Sequence, residues 1–206
     1  MQQVIIVLAD TTEQAEKNEE FIELVQAADM EIKETFTQNL KSITLRTYIG
    51  TGKCEEIHAY LQEQEIQRVV FNHDLSPLQI RNLEEILQTP VMDRTELILA
   101  IFESRAVTRT ARLQIECAQL KKLLPRLIGA NTQLGRQSGS GKNKGAGEKQ
   151  LELDRRRINA RIQELQRELK KIEAQRFNQR RARQKYLMPL PSLVGNKKTS
   201  EKTIIN

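Results

Sequence analysis

Cysteine and histidine are nearly absent from this chain: Cys54, Cys117, His58 and His73 are all it has. A structural metal site needs about four such ligands. Only Cys54 and His58, four apart, are spaced to share a helix face, so neither a metal nor a cofactor is expected. The two cysteines fall in separate predicted elements, which fits free thiols in a reducing compartment better than a disulfide. Long apolar runs are missing too, and nothing approaches the ~18 residues of a spanning helix. The first ten residues, MQQVIIVLAD, lack a basic start and reach an acid before the apolar run is long enough for a signal peptide. A cytoplasmic protein with no membrane partner is expected. Tryptophan is absent and aromatics make up 4% of the chain. No nucleophile has a plausible base partner; Asp74, Asp93 and the scattered glutamates read as caps and solvated surface groups, so no catalytic residue is assigned.

What the chain does have is positive charge. A net charge of +6 and a pI near 9.4 favour an acidic partner, nucleic acid ahead of membrane. A hydrophobic fraction of 38% over 206 residues allows one modest core.

Residues 1–94 alternate between strand and helix patterns. Residues 4–8 form a nearly pure aliphatic run, as in a strand buried on both faces. A helix is predicted over 18–28, a more exposed strand over 31–37, a helix over 54–64, a strand over 68–72 and a short strand over 91–93. Ser76 as N-cap with Pro77 at the first helical position opens a helix to Leu87. Repeated βα units with short links imply a small parallel sheet flanked by helices. The turn Gly50-Thr51-Gly52-Lys53 invites a phosphate-binding reading, but it lacks the third glycine of a dinucleotide fingerprint and the spacing of a Walker loop.

From Thr95 the pattern changes to helical stripes. Ala106, Thr110, Leu113, Cys117, Leu120 and Leu124 recur at spacings of three and four, predicting a helix over 96–123 stopped by Pro125 and Gly129. Leu151, Ile158, Ile162, Leu165, Leu169 and Ile172 do the same up to about Phe177. Two striped helices bury their stripes most simply as a long antiparallel hairpin, predicted over 95–187. Between them, residues 135–148, GRQSGSGKNKGAGE, hold five of the nine glycines together with Arg136, Lys142 and Lys144. Glycine loses more freedom on ordering than any other residue. The stretch is either a flexible linker or a basic tip loop ordered by an anionic surface.

The second helix is strongly basic. Arg155, Arg156, Arg157, Arg161, Arg167, Lys170, Lys171, Arg176, Arg180, Arg181, Arg183 and Lys185 outnumber the interleaved Asp154, Glu164, Glu168 and Glu173, and a salt-bridged surface accounts for the Glu/Lys part of that list. Residues 176–185, with Arg176, Arg180, Arg181, Arg183 and Lys185, contain no acid. Arginine-rich tracts suit multidentate phosphate contacts. With no sequence-reading motif present, structured RNA is favoured over a DNA site.

RTELILAIFESRAVTRTARLQIECAQLKKLLPRLIG followed by LGRQSGSGKNKGAGEKQLELDRRRINARIQEL, with YIGTGKCEEI, VVFNHDLSPLQIRNLEEIL and VMDRTELIL before them, resembles the N-terminal region of the HflX-type GTPases over residues 45–195. The resemblance implies an αβ subdomain and a helical hairpin that dock on the large ribosomal subunit, against 23S-type rRNA and nearby ribosomal proteins. The glycine-rich loop would enter the peptidyl transferase centre. Arg136, Gln137, Gly139, Gly145, Gly147, Glu148, Gln150, Leu151 and Glu152 fall on the family's loop motif; Lys144 stands where many members have arginine and Ala146 where many have proline. The RNA-binding candidates are Arg136, Gln137, Gly139, Gly141, Lys142, Lys144, Gly145 and Gly147, with Arg155, Arg156, Arg157, Arg161, Arg176, Arg180 and Arg181.

The resemblance weakens over 188–206, where the family's GTPase domain starts with a Walker loop. After Gly195, Ser200 replaces the second glycine and Glu201 the phosphate-binding lysine, ahead of Lys202-Thr203. A carboxylate there repels phosphate. The expectation is a naturally short, monomeric, non-catalytic factor that binds the large subunit in ribosome splitting, rescue or hibernation. The alternatives are the N-terminal part of a full GTP-hydrolysing HflX-type enzyme, or a protein-interaction hairpin.

Overall fold

The sheet grows around the aliphatic run near the N-terminus. In the computed structural model the backbone is described for residues 2–10, 15–40, 42–137 and 144–185, and side chains for 2–9, 17–40, 42–127 and 150–183. β1 (Gln2–Asp10), β2 (Met30–Asn39), β3 (Arg68–Phe71) and β4 (Val91–Met92) form a parallel sheet of order β2-β1-β3-β4. One row across it reads Thr35, Ile6, Val70, Met92. β1 is central, and Val4 to Val7 are wholly buried. Strand side chains alternate between faces, so this run feeds two cores. Ile5, Val7, Val69 and Phe71 pack with Ile57 of α2 (Thr51–Glu63) and with Ile80, Leu83 and Leu87 of α3 (Pro77–Leu87). Val4, Ile6, Leu8 and Val70 pack with Phe21 and Val25 of α1 (Ala15–Ala27) and with Leu97 and Ile101 of α4 (Arg94–Arg105). Helices on both faces explain why β1 carries no polar alternation.

α3 starts as its sequence predicts. Ser76 accepts from the Gln79 amide while the Gln79 side chain accepts from the Ser76 amide, a complete capping box with Pro77 in the first turn. α4 is capped by Asp93, whose carboxylate accepts from the Glu96 amide at 2.9 Å.

The helical region departs from the predicted boundaries. Instead of one helix over 96–123 there are two, α4 and α5 (Arg109–Gln137), separated at residues 106–108. Ala106 is extended, and the Thr108 hydroxyl accepts from the Ala111 amide at 3.2 Å, giving α5 its own N-cap. α5 then runs through Pro125 and Gly129 rather than stopping there. A proline inside a helix removes a donor at a cost of about 3 kcal/mol. Tertiary contacts on both sides of it oppose that cost. Lys122 pairs with Asp93 at 2.5 Å, and Arg126 Nη2 lies 2.7 Å from Glu96, an ion pair without hydrogen-bond geometry. α6 (Lys144–Lys185) likewise passes Phe177.

Met1–Leu169 pack as one unit and Lys170–Asn206 as a second. Within the first unit α4 and α5 pack together. Residues 186–206 lie outside the described residues.

Candidate nucleic-acid interface

Two ion pairs set the relation of α5 to α6 within the first unit. Arg109 Nη2 meets Glu168 at 2.9 Å, and Arg161 meets Glu116 through Nε at 2.8 Å and Nη2 at 3.1 Å. Seven residues forward on α5 correspond to seven residues back on α6, which is the register of antiparallel helices. Along this stretch the stripes bury Leu113 and Cys117 from α5 and Ile162 and Leu165 from α6, with Leu165 fully covered.

These contacts divide the basic residues of α6 into two groups. Arg155 and Arg156 pair with Glu152 at 3.6 and 3.1 Å, and Arg157 pairs with Asp154 at 3.3 Å. Arg161 also holds Glu164 at 2.8 Å, and hydrogen bonds to Glu116 first and Glu164 second raise its pKa above the usual guanidinium range. All four charges are thus engaged by acids of the same unit. In the second unit every described side chain from Glu173 to Arg183 is exposed. Arg180, Arg181 and Arg183 have no ion-pair partner among the described residues. Arg176 is exposed beside them. Three adjacent guanidiniums without acids are what a phosphate backbone requires.

Other candidates are placed elsewhere. Residues 135–137 are the last of α5 and 144–148 belong to the first turns of α6, so the described backbone narrows the 135–148 loop from both ends. Arg136, Gln137, Lys144, Gly145 and Gly147 thus sit on helical backbone, while Gly139, Gly141 and Lys142 lie outside the described residues. Gly195, Ser200, Glu201, Lys202 and Thr203 lie outside them as well. At the Gly50 turn, the glycine is the N-cap of α2, and its amide donates to Gln38 Oε1 at 3.1 Å. Lys53 pairs with Glu56 at 2.6 Å. Cys54 is buried, which pushes its thiol pKa up. Among the described residues no group of three or more His, Cys, Asp or Glu side chains is placed to hold a metal. No helix among them is long and apolar enough to cross a membrane.

Three features escaped the sequence reading. Asp93 is a cap, as expected, but it is fully buried rather than solvated, and it holds Lys122 and the Leu75 amide as well as its own helix. The Glu116–Arg161 pair flanks the apolar seam, where charges that fix helix register belong; that position was its signal. Phe177, at 65% exposure, stands alone among arginines with no packing role to announce it.

The fold is a parallel α/β domain followed by a long pair of helices, the second of which carries an exposed basic end. The chain matches the family described as "GTP-binding GTPase N-terminal" over residues 15–103 and that described as "GTP-binding GTPase Middle Region" over 105–183. It is 38% identical to the "GTPase HflX" of Caldanaerobacter subterraneus subsp. tengcongensis, over 98% of this chain and 47% of that protein. To the "GTPase HflX" of Escherichia coli K12 it is 40% identical, over 91% and 44% respectively. The chain belongs to the HflX family and corresponds to its N-terminal and middle regions. It spans about half the length of the curated relatives it matches. A GTP-binding protein from Sulfolobus solfataricus, solved with GDP, superposes with a TM-score of 0.62 at 24% identity, over 84% of this chain and 46% of that one. That likeness establishes the shared fold alone.

Proposed function

We propose that this chain is a non-catalytic, HflX-like factor of the large ribosomal subunit that docks the basic end of α6 on rRNA. The observation that carries the reading is the exposed, acid-free cluster of Arg180, Arg181 and Arg183. Phosphate binding by such a cluster is independent of base sequence and strongly salt-dependent. The glycine-rich stretch 135–148, with Gly139, Gly141 and Lys142, enters the peptidyl transferase centre and acts there in splitting, rescue or hibernation. The protein works as a cytoplasmic monomer. Absence of GTP hydrolysis follows from Glu201 and Ser200 at the positions where the family has lysine and glycine.

Co-sedimentation with isolated large subunits at rising salt tests the reading. Pelleting at low salt that is lost as salt rises supports it, and no pelleting at any salt rejects it. A second reading, a part of a GTP-using enzyme, is favoured by the relatives' names and by the half-length match. Nucleotide titration separates the two, because measurable GTP binding favours the enzyme.

A further inference from the structure

The exposed ring of Phe177 has no explanation in the packing of α6. The apolar positions Ile158, Ile162, Leu165, Leu169 and Ile172 alternate spacings of four and three. The next positions in that series are Arg176 and Gln179, so the buried stripe has already ended. Phe177 lies off that line with 65% of its surface in water, in a chain where aromatics are 4% of all residues. Its helical neighbours one turn on are Arg180 and Arg181, both exposed. A shallow hollow beside the ring is lined by Lys170, Glu173, Ala174, Arg176, Asn178 and Arg180, three cations to one acid.

We propose that Phe177 is a stacking platform for an unpaired nucleobase, with Arg180 and Arg181 holding the phosphates on either side of that nucleotide. This rests on the RNA-binding reading above and makes it more specific: the target is a bulge, loop or splayed base rather than continuous duplex. The charge around the ring selects the occupant. An apolar protein surface laid on Phe177 would strip water from several guanidiniums and give them no acceptor. A nucleotide offers a flat π-face and an anion about one helical turn apart, and so satisfies both kinds of group. Stacking of this kind is tolerant of base identity, in keeping with a helix that carries no base-reading pattern.

The test uses the full chain with two RNAs, a stem with an unpaired loop and a blunt duplex of equal length. F177A should weaken binding to the looped RNA by about ten- to a hundred-fold and leave duplex binding unchanged, with circular dichroism confirming that the helix content is retained. F177W places the sole tryptophan in a chain that has none, and its emission should be quenched by the looped RNA and not by the duplex. Wild-type affinity of F177A for both RNAs overturns the stacking role while leaving the basic reading intact. An F177W signal that responds to ribosomal protein but not to RNA overturns it also. If the wild-type chain binds neither RNA, the RNA-binding reading falls and this one with it.

Discussion

Arg161 of α6 grips the Glu116 carboxylate of α5 through two nitrogens, at 2.8 and 3.1 Å, and turns its third to Glu164 at 2.8 Å. A planar guanidinium shared by two carboxylates sets helix register. Arg180, Arg181 and Arg183, beyond the last acid of α6, are among the exposed charges for which no ion pair is found among the described residues.

Reversing the pair tests this role. R161E should lower the melting temperature, because it places a glutamate against both Glu116 and Glu164. Adding E116R should recover only part of the loss, since Glu164 still faces a like charge. Thermal unfolding of the single and double variants reads both outcomes, and full recovery would mean that Glu164 contributes nothing.

Packing of the two stripes dominates over their charges. Leu165 is fully buried where α6 meets α5, while Leu153, three turns earlier, is 46% exposed. Urea unfolding of L165A should show a loss of about 2–5 kcal/mol. L153A should stay within about 0.5 kcal/mol of wild type.

Much of this fold is legible because its rules are local. The run from Val4 to Leu8 has no polar alternation because helices cover both faces of β1, and Ser76-Pro77 carries a complete helix start within four residues. The stripes through Leu113, Cys117, Ile162 and Leu165 mark the helix seam for the same reason. What escapes notice depends on distant partners. Pro125 reads as a stop until Lys122 and Arg126 are seen tied to Asp93 and Glu96 on either side of it. Thr108 falls inside the helix predicted over 96–123, and only its hydrogen bond from the Ala111 amide marks it as the start of α5. In the basic tract, the acids at 152, 154 and 164 are visible along the chain and Glu116 is not, since it comes from another helix. Hence the part Arg161 plays in helix register is visible only in the structure.

Asp93 joins three elements, capping α4, accepting from the Leu75 amide at 3.4 Å and pairing with Lys122 of α5. Removing one member of a buried ion pair leaves the other uncompensated. D93A should therefore destabilise by about 3 kcal/mol or more, and D93N should cost less because an asparagine still caps the helix. Equilibrium denaturation ranks the two, and equal losses would show that the cap carries no weight.

Burial raises the Cys54 pKa, an effect opposed by its hydrogen bond with Thr47. The folded state therefore holds this proton more tightly than the unfolded chain does. The resulting stability is fully present below the ordinary thiol range near ~8.5 and is lost as pH rises through it towards the higher folded value. C54A should flatten that alkaline decline in urea midpoints, and native-state alkylation of Cys54 at pH 8 should be slow until denaturant is added. Rapid alkylation of the native protein would contradict the buried placement.

The two classes of arginine on α6 should separate in their salt dependence. Each phosphate contact contributes about 0.7–0.9 to the slope of log affinity against log salt. Replacing Arg180, Arg181 and Arg183 by glutamine should reduce that slope by about 2–3 for RNA or large subunits. Replacing Arg155, Arg156 and Arg157 should change it less, because Glu152, shared by Arg155 and Arg156, and Asp154 offset two of their three charges; in losing those cations the helix becomes more acidic, and affinity should fall without a matching drop in slope. If the two triple variants lose equal slope, the intramolecular pairs give way to RNA on binding, and the docking surface extends back along α6 to Arg155.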